Sequence, residues 1–278
     1  MLFILYCENK DSRHTSTGPS VSGTSPETGS AGSSASAKKF KALSAGERLL
    51  LETGLREMEI SCSAVAPDNM IERGQYGKPF FPSCSHVHFN FSHSGSLTAC
   101  AFSDREVGLD IQAHDQLRVD ALRIAKRFFT GPEYHALLGL SSDQAAMNSL
   151  FFRFWTIKEA YLKYVGCGLY AEPDSFLPVP DGHSSEPISF PCLPACRSDD
   201  PDCSSEIMQH KMRDGQSPFN PDPYFPGSRG RIEILKREDL LTPGVYVLLP
   251  APAGYTMAVS AQDLPGEIAV RRVDAPHP

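Results

Sequence analysis

Two acidic residues and one lysine could together hold a metal ion against a phosphate. In VGLDIQ, residues 107–112, apolar and polar positions alternate, which predicts a strand with Asp110 on its polar face. In FWTIKEAYLK, residues 154–163, the pattern predicts a helix on which Glu159 and Lys163 lie side by side, four positions apart. Two carboxylates can bind a hard cation such as Mg²⁺, and the lysine can bind an anionic phosphate beside it. The spacing therefore favours phosphoryl-type chemistry.

The same two acids could instead be ordinary solvated carboxylates, because acidic side chains are mostly exposed. Their surroundings weaken that interpretation. Asp110 has apolar neighbours on both sides in sequence, and Glu159 follows a very apolar half-helix. A carboxylate near the edge of a core needs a partner, and a divalent cation is one possibility. Gln112 points the same way as Asp110, and it is either a neutral metal ligand or an ordinary polar strand residue.

A second set of polar residues precedes these segments. The strand pattern at 86–92 ends at Ser92 and His93, whose hydroxyl and imidazole could donate to phosphate oxygens, although His93 could also only close the turn. A serine nucleophile is disfavoured, because no G-x-S-x-G motif surrounds Ser92. Lys78 has a free cationic head on a loop, and Lys158 is expected to be an exposed helix lysine.

The elements that must position these residues form a mixed pattern. Met1–Cys7 predicts a short edge strand, and residues 11–37, mostly Ser, Thr, Gly and Pro, predict a disordered linker. Helical patterns occupy 38–58, 117–129, 133–139 and 151–165, the third opened by a Thr130-x-x-Glu133 capping box and the last ended by Gly166. Strand patterns occupy 86–92, 97–102, 107–112, 231–236, 244–249 and 255–261.

Each half of the chain offers a helix plus strands, which predicts an α+β fold of two similar α/β subdomains in a pseudo-twofold arrangement. The expected division is an N-terminal strand at 1–10, the linker at 11–37, an N-terminal subdomain at 38–106, a C-terminal subdomain at 107–264 with a low-complexity insertion at 181–230, and a loose tail at 265–278.

Composition excludes several classes of protein. The chain has 278 residues and a net charge of −7, which argues against general nucleic-acid binding. No apolar run approaches membrane-spanning length, and the first residues lack the features of a secretory signal. The eight cysteines do not show the paired spacing of zinc sites, so free thiols in a reducing cytoplasm are expected.

Five ordered segments together resemble the 4′-phosphopantetheinyl transferase superfamily. They are QYGKPFFP, HFNFSHSG, VGLDIQ, IAKRFFTGPEY and FWTIKEAYLKYVGCGL, and they cover roughly residues 75–177. The likeness is strongest to the larger, monomeric branch, the surfactin-synthetase-activating type. The motif W-x-x-K-E-A-x-x-K makes the resemblance highly specific.

The resemblance implies that the protein binds coenzyme A and Mg²⁺ in a cleft between its two halves. It implies transfer of the phosphopantetheine arm to a serine of an apo acyl or peptidyl carrier protein, in fatty-acid, polyketide or nonribosomal peptide biosynthesis. By motif position, Asp110 and Glu159 would bind the metal, and Glu159 would also deprotonate the carrier serine, directly or through a water. Lys163 would steady the diphosphate. We expect the carrier protein to dock mainly through apolar contacts beside the cleft.

The remaining coenzyme A contacts follow from the same resemblance. Ser92 and His93 would contact phosphates, and Lys78 would line the adenine end. Arg48 and the lysines at 38–41 are candidates for binding the 3′-phosphate, although the resemblance is weak before residue 75.

Two departures from the family pattern leave an alternative open. Gln112 stands where this branch usually has a glutamate, which removes one negative charge from the metal site, and the 11–37 linker replaces a helical segment. The alternative is a non-catalytic coenzyme A or carrier-protein binding module that has lost its metal. A metal-dependent phosphoester hydrolase is less favoured, because nothing marks a second metal that would activate water.

Overall fold

The fold, obtained as a computed structural model, is described for residues 1–9, 42–60, 70–116, 120–181 and 227–274. The predicted linker and Lys38, Lys39 and Lys41 lie outside the described residues, as does most of the 181–230 insertion. The helices are α1 Ala45–Glu57, α2 Ala121–Phe128, α3 Gly131–Gly139 and α4 Gln144–Val165. The strands are β1 Leu2–Glu8, β2 Glu72–Arg73, β3 Pro79–Phe80, β4 His88–Ser94, β5 Leu97–Ser103, β6 Val107–Ala113, β7 Phe176–Pro180, β8 Arg229–Ile234, β9 Gly244–Leu249, β10 Tyr255–Ala261 and β11 Ala269–Arg272.

The strands form two main sheets and a small hairpin. The first sheet has the order β11-β1-β5-β4, the second has the order β6-β10-β9-β8-β7, and β2 pairs with β3. Strands and helices alternate irregularly along the chain, so the predicted α+β class is confirmed. The pseudo-twofold relation between the halves and the domain boundaries stay predictions.

Alternation along the strands places one core between the two sheets. Ile4 of β1 and Leu109 of β6 belong to the same buried cluster, together with apolar residues of β5, β9 and β10. A second cluster packs α1 on the other face of the first sheet, and a third packs α4 on the other face of the second sheet. Burial of apolar surface therefore joins helix, sheet, sheet and helix into one structure.

Two sequence predictions about the ends of the chain are wrong. β1 is not an edge strand, because it pairs antiparallel with β5 on one side and parallel with β11 on the other. The segment after 264 is not loose over its whole length, since Ile268, Ala269 and Val270 are buried and β11 completes the first sheet. A short run of apolar residues gains a fixed conformation when a neighbouring strand offers it backbone partners.

The boundaries of α4 follow simple end signals. Asp143 accepts a hydrogen bond from the Ala146 backbone N–H, which caps the first turn of the helix. The helix therefore begins at Gln144, seven residues before the start at 151 that the sequence predicted. Gly166 ends the helix with a φ of 76°, a left-handed conformation that favours glycine. The Thr130–Glu133 capping box at the start of α3 is confirmed. No helix in the described ranges is long and apolar enough to cross a membrane.

Candidate active site

A close approach between α4 and β6 builds the site. A Cβ atom at Gly108 would lie 2.1 Å from the Ala160 carbonyl oxygen and 2.2 Å from the Tyr164 backbone nitrogen, so no larger residue fits without moving the helix. This contact brings the turns of α4 that carry Glu159 and Lys163 against the face of β6 that carries Asp110 and Gln112.

Asp110 is the centre of a polar cluster and is only 2% exposed. Its Oδ1 accepts hydrogen bonds from Ser92 Oγ at 2.8 Å and from Lys163 Nζ at 2.7 Å, and its Oδ2 accepts one from Gln112 Nε2 at 2.8 Å. Lys163 Nζ also donates to Ser92 Oγ at 2.9 Å. The fold therefore brings together four side chains that the sequence had placed on three separate elements.

The site lies on a seam between the two sheets. Along β4, the side chains of Asn90, Ser92 and Ser94 face the edge of the second sheet. They accept hydrogen bonds from backbone N–H groups of β6. Leu109 donates to Asn90 Oδ1 at 2.9 Å, Ile111 donates to Ser92 Oγ at 3.1 Å, and Ala113 donates to Ser94 Oγ at 2.9 Å. Between β4 and β6, hydrogen bonds from backbone to side chain thus take the place of hydrogen bonds from backbone to backbone. These contacts of Asn90, Ser92 and Ser94 form the seam, and Ser92 also belongs to the Asp110 cluster.

The protonation of Glu159 is strongly affected by its surroundings. The pKa of its carboxyl is raised to about 7, mainly by burial and also by the negative charge of Asp110, while Lys163 acts in the opposite direction. Burial and the charge of Asp110 together therefore outweigh the effect of Lys163 on the Glu159 carboxyl. A site of this kind favours an added cation, and a group with a pKa near neutrality can accept a proton at physiological pH.

His93 points away from this cluster. Its side chain is 57% exposed, and its Nε2 lies 3.1 Å from Glu47 Oε1 in the first turn of α1. The hydrogen bond to His93 is the main reason that the pKa of Glu47 is lowered to about 2. Arg48 follows in the same turn and is half-buried. The predicted residues Ser92 and His93 are thus on opposite faces of β4, and His93 meets α1.

Lys78 lies at the C-terminal end of α4. Its Nζ donates to the Tyr164 carbonyl oxygen at 2.9 Å and to Glu106 Oε2 at 2.5 Å. Burial lowers the pKa of Lys78, and the charge of Glu106 partly restores it. The lysine therefore joins the 75–82 turn to the helix that carries Glu159 and Lys163, and its head group is not free in the way the sequence suggested.

Lys158 differs most from its sequence-based interpretation, because it is buried at 1% exposure. Its Nζ pairs with Glu133 Oε2 at 2.9 Å and donates to the carbonyl oxygens of Pro173 and Phe176. Burial lowers the pKa of Lys158 and raises that of Glu133. This ion pair connects the start of α3 to the middle of α4, so Lys158 helps to position the helix and does not reach the site.

Sequence reasoning missed three structural residues of the site. Gly108 sets the approach of α4, and Asn90 and Ser94 complete the seam. The signal for the last two was present, because polar residues at every second position in an otherwise apolar strand indicate a buried polar face. Gly108 carried no signal of its own, since glycine within a strand is equally typical of a bulge or a bend.

The donor set fits a hard divalent cation. Asp110 and Glu159 supply carboxylates, and Gln112 could supply an amide oxygen; Mg²⁺ prefers such oxygen ligands and keeps part of its water shell. Within the described ranges, no group of three or more His, Cys, Asp or Glu side chains is placed to hold a metal. The predicted metal site therefore offers two carboxylates and one amide oxygen in place of three carboxylates.

Comparison with known proteins finds a family match over the segment that carries this site. Residues 106–205 match the family model described as the 4′-phosphopantetheinyl transferase superfamily, and this segment contains Asp110, Glu159 and Lys163. This part of the chain is similar to that superfamily, in agreement with the sequence resemblance.

Its relatives are of the Sfp type. The chain is 37% identical over 121 residues to 4′-phosphopantetheinyl transferase Sfp of Bacillus subtilis strain 168, covering 40% of this chain and 52% of that protein. It is 38% identical over 129 residues to the gsp transferase of Aneurinibacillus migulanus, covering 46% and 52%. It is 29% identical over 215 residues to the psf-1 transferase of Bacillus pumilus, covering 75% and 84%. The chain thus spans about half the length of the first two relatives.

Proposed function

We propose that this protein is an Mg²⁺-dependent enzyme that moves the 4′-phosphopantetheine group of coenzyme A onto a serine of an apo carrier protein. The observation that carries the proposal is the cluster of Asp110, Lys163 and Ser92 beside Glu159, whose pKa is raised to about 7. The names of the relatives support the reaction type, since each is a 4′-phosphopantetheinyl transferase.

The site residues divide the work of the reaction among them. Glu159 accepts the proton of the carrier serine, directly or through a water, and its near-neutral pKa suits that step. The serine oxygen then forms a bond to the β-phosphorus of coenzyme A while the bond to the bridging oxygen breaks, which releases adenosine 3′,5′-bisphosphate. Lys163 binds the diphosphate, and Ser92 keeps Asp110 and Lys163 in register.

Mg²⁺ would be held by Asp110 and Glu159, with Gln112 as a neutral third group, and it would neutralise charge on the diphosphate. Lys78 is proposed to line the adenine end. His93, which contacts Glu47 in the first turn of α1, and Arg48 of the same turn are proposed to bind the 3′-phosphate. The four cysteines in the described ranges, Cys7, Cys84, Cys100 and Cys167, are free thiols, which agrees with a proposed reducing cytoplasm. We propose a monomer.

Intact-mass measurement tests the activity. The protein is incubated with coenzyme A, Mg²⁺ and a panel of apo acyl and peptidyl carrier proteins, and the expected result is a mass gain of one phosphopantetheine group. Glu159→Gln should lower the labelling rate by at least about 10³-fold without loss of the fold, because it removes the base and a metal ligand. Glu233→Gln, at an exposed position of β8, is the matched control and should label normally. Absence of labelling on every carrier contradicts the proposal.

A non-catalytic binding module is the second candidate, and one observation favours it. The carboxylate of Asp110 already accepts three hydrogen bonds from Ser92, Lys163 and Gln112, so it is satisfied without a metal. Calorimetry separates the two functions. Coenzyme A binding that does not change with Mg²⁺, together with no labelling, supports the module, whereas Mg²⁺-dependent binding supports the enzyme.

A further inference from the structure

Tyr255 holds the tight turn that joins β4 to β5. The backbone N–H of Ser96 donates to the Tyr255 hydroxyl oxygen at 3.2 Å, and Ser96 Oγ lies 3.2 Å from the same oxygen. Gly95 has a φ of 56°, and a Cβ atom on it would lie 2.6 Å from that oxygen. The phenol, which begins β10 of the second sheet, therefore lies directly against a turn of the first sheet.

This contact extends the polar seam beyond the end of β4. The seam's last backbone donor is Ala113 of β6, whose N–H donates to Ser94 Oγ. Tyr255 is the register partner of Ala113 in β10, and a Cβ atom on Gly95 would lie 3.1 Å from Ala113 Cβ. The phenol of Tyr255 thus connects the two sheets at the point where the backbone donors of β6 end.

The end of β1 holds the same turn from its other side. The Asn9 backbone N–H donates to the Ser96 carbonyl oxygen at 2.7 Å, and Asn9 Oδ1 accepts from the Thr98 hydroxyl at 2.9 Å. Thr98 is buried and is the register partner of His93. A Cβ atom on Gly46 would lie 2.7 Å from Asn9 Oδ1. The turn, the strand position of His93 and the start of α1 are therefore connected through direct contacts.

His93 depends on this turn more than Ser92 does. Ser92 is buried, and its hydroxyl makes three hydrogen bonds with groups of β6 and α4. The side chain of His93 is instead 57% exposed and lies against Glu47 of α1. Little packing fixes the His93 ring, so the backbone, two residues before Gly95, determines where the imidazole points.

We propose that Tyr255 is a positioning residue for nucleotide binding, because its hydroxyl fixes the turn between β4 and β5 and thereby places His93 on the 3′-phosphate of coenzyme A. This inference rests on the proposed function and adds to it a residue that acts through the turn. A turn that is fixed before binding loses less conformational freedom when the phosphate binds, which raises affinity. The Asp110 cluster is held by its own hydrogen bonds, so the rate at saturation does not depend on this hydroxyl.

Calorimetry with two forms of the cofactor tests this placement. Coenzyme A and 3′-dephospho-coenzyme A differ only in the 3′-phosphate, so the ratio of their Kd values reports contact with that group. Tyr255→Phe keeps the ring and removes the hydroxyl. It should weaken binding of coenzyme A about fivefold, the effect of one hydrogen bond, and leave binding of the dephospho form unchanged. Labelling kinetics should show a raised KM for coenzyme A, with unchanged kcat and an unchanged KM for the carrier.

Two further variants show whether the hydroxyl acts through the turn. Ser96→Ala removes the hydroxyl partner of Tyr255 and keeps the backbone N–H. Alone it should weaken binding of coenzyme A about twofold, and combined with Tyr255→Phe it should add nothing, because both changes remove the same contact. Tyr134→Phe, at a partly buried tyrosine of α3, is the matched control and should leave both affinities unchanged.

The outcomes separate the positioning role from the proposed reaction. Equal weakening of both cofactor forms in Tyr255→Phe, an unchanged affinity for coenzyme A, full additivity with Ser96→Ala, or a wild-type protein that binds both forms equally overturns the role of Tyr255. Normal labelling with an unchanged KM in Tyr255→Phe removes this inference and leaves the enzyme function standing. A selective loss of coenzyme A affinity in a protein that labels no carrier keeps the inference and removes the enzyme function.

Discussion

Asp110 and Glu159 are two carboxylates in the same site whose environments differ. The carboxylate of Asp110 accepts hydrogen bonds from three donors, on Ser92, Lys163 and Gln112. Burial and the charge of Asp110 instead disfavour the charged form of Glu159. The two acids are therefore suited to different roles: Asp110 is a hydrogen-bond acceptor held in place by its donors, and Glu159 is a proton acceptor.

This difference predicts how Glu159 affects stability in the absence of metal. Its pKa rises from an ordinary 4.5 in the unfolded chain to about 7 in the folded protein. Between those two values the folded state binds more protons, so the free energy of unfolding falls as pH rises through this window. At pH 8 the charged, buried form is a net cost, and Glu159→Gln should stabilise the protein by on the order of 1 kcal/mol.

Urea unfolding with a chelator, at pH 4.5 and pH 8, checks this prediction. The gain in Glu159→Gln should be present at pH 8 and absent at pH 4.5, where the folded protein already holds the carboxyl in its neutral form. Glu233→Gln, on the exposed face of β8, should show no gain at either pH. A destabilised Glu159→Gln at pH 8 would show that the carboxylate is satisfied in the folded protein.

At the scale of elements, the contact between α4 and β6 decides whether the site exists. Gly108 permits the backbone of α4 to touch the strand, and the buried pair of Lys158 with Glu133 ties the same helix to α3. Position and rotation of α4 are thus fixed from two sides. Glu159 follows Lys158 directly, so a helix held at Lys158 also holds the neighbour that we propose as the base.

Gly108→Ala should therefore displace α4. Its methyl group would lie 2.1 Å from the carbonyl oxygen of Ala160, which is far inside contact distance. We expect a loss of about 2–3 kcal/mol in stability, typical of overpacking, and a labelling rate at least tenfold lower. The measurement is urea unfolding together with labelling kinetics at a temperature where the variant is folded.

Gly139→Ala provides the control for that experiment. This glycine ends α3, and a Cβ atom added to it would meet no atom within 4 Å, so alanine should be tolerated or slightly stabilising. Equal activity of Gly108→Ala and Gly139→Ala would show that the close approach is not needed for the site.

At the scale of the whole molecule, the two sheets share one apolar core and one polar seam. The core cluster contains residues of β1 and β5 from the first sheet and of β6, β9 and β10 from the second. The seam adds hydrogen bonds from the β6 backbone to Asn90, Ser92 and Ser94. Halves that share a core unfold together, so we expect one cooperative transition for the described structure.

Ser94→Ala tests this cooperativity, because it leaves the buried Ala113 N–H without its acceptor but does not touch the Asp110 cluster. The expected cost is about 1–2 kcal/mol, a shift of several degrees in Tm. Circular dichroism reports on both sheets, and Trp155, the single tryptophan, reports on α4. Both signals should shift together. Two separated transitions would instead favour independent subdomains at 38–106 and 107–264.

Local sequence pattern was sufficient to predict much of the fold. The alternation around Asp110 predicted β6, the spacing of Glu159 and Lys163 predicted one face of α4, and Gly166 predicted the end of that helix. These features depend on residues close in sequence, where backbone geometry sets which side chains share a face.

The pairing of distant segments was decided only by the tertiary structure. The position of β1 between β5 and β11, the burial of Lys158 and the placement of His93 against α1 all depend on partners far along the chain. A sequence shows that Asp110, Gln112, Glu159 and Lys163 are polar and suitably spaced. Packing of α4 onto β6 through Gly108 is what buries Glu159 and brings the negative charge of Asp110 close to it. Burial first, and the charge of Asp110 second, raise the pKa of the Glu159 carboxyl.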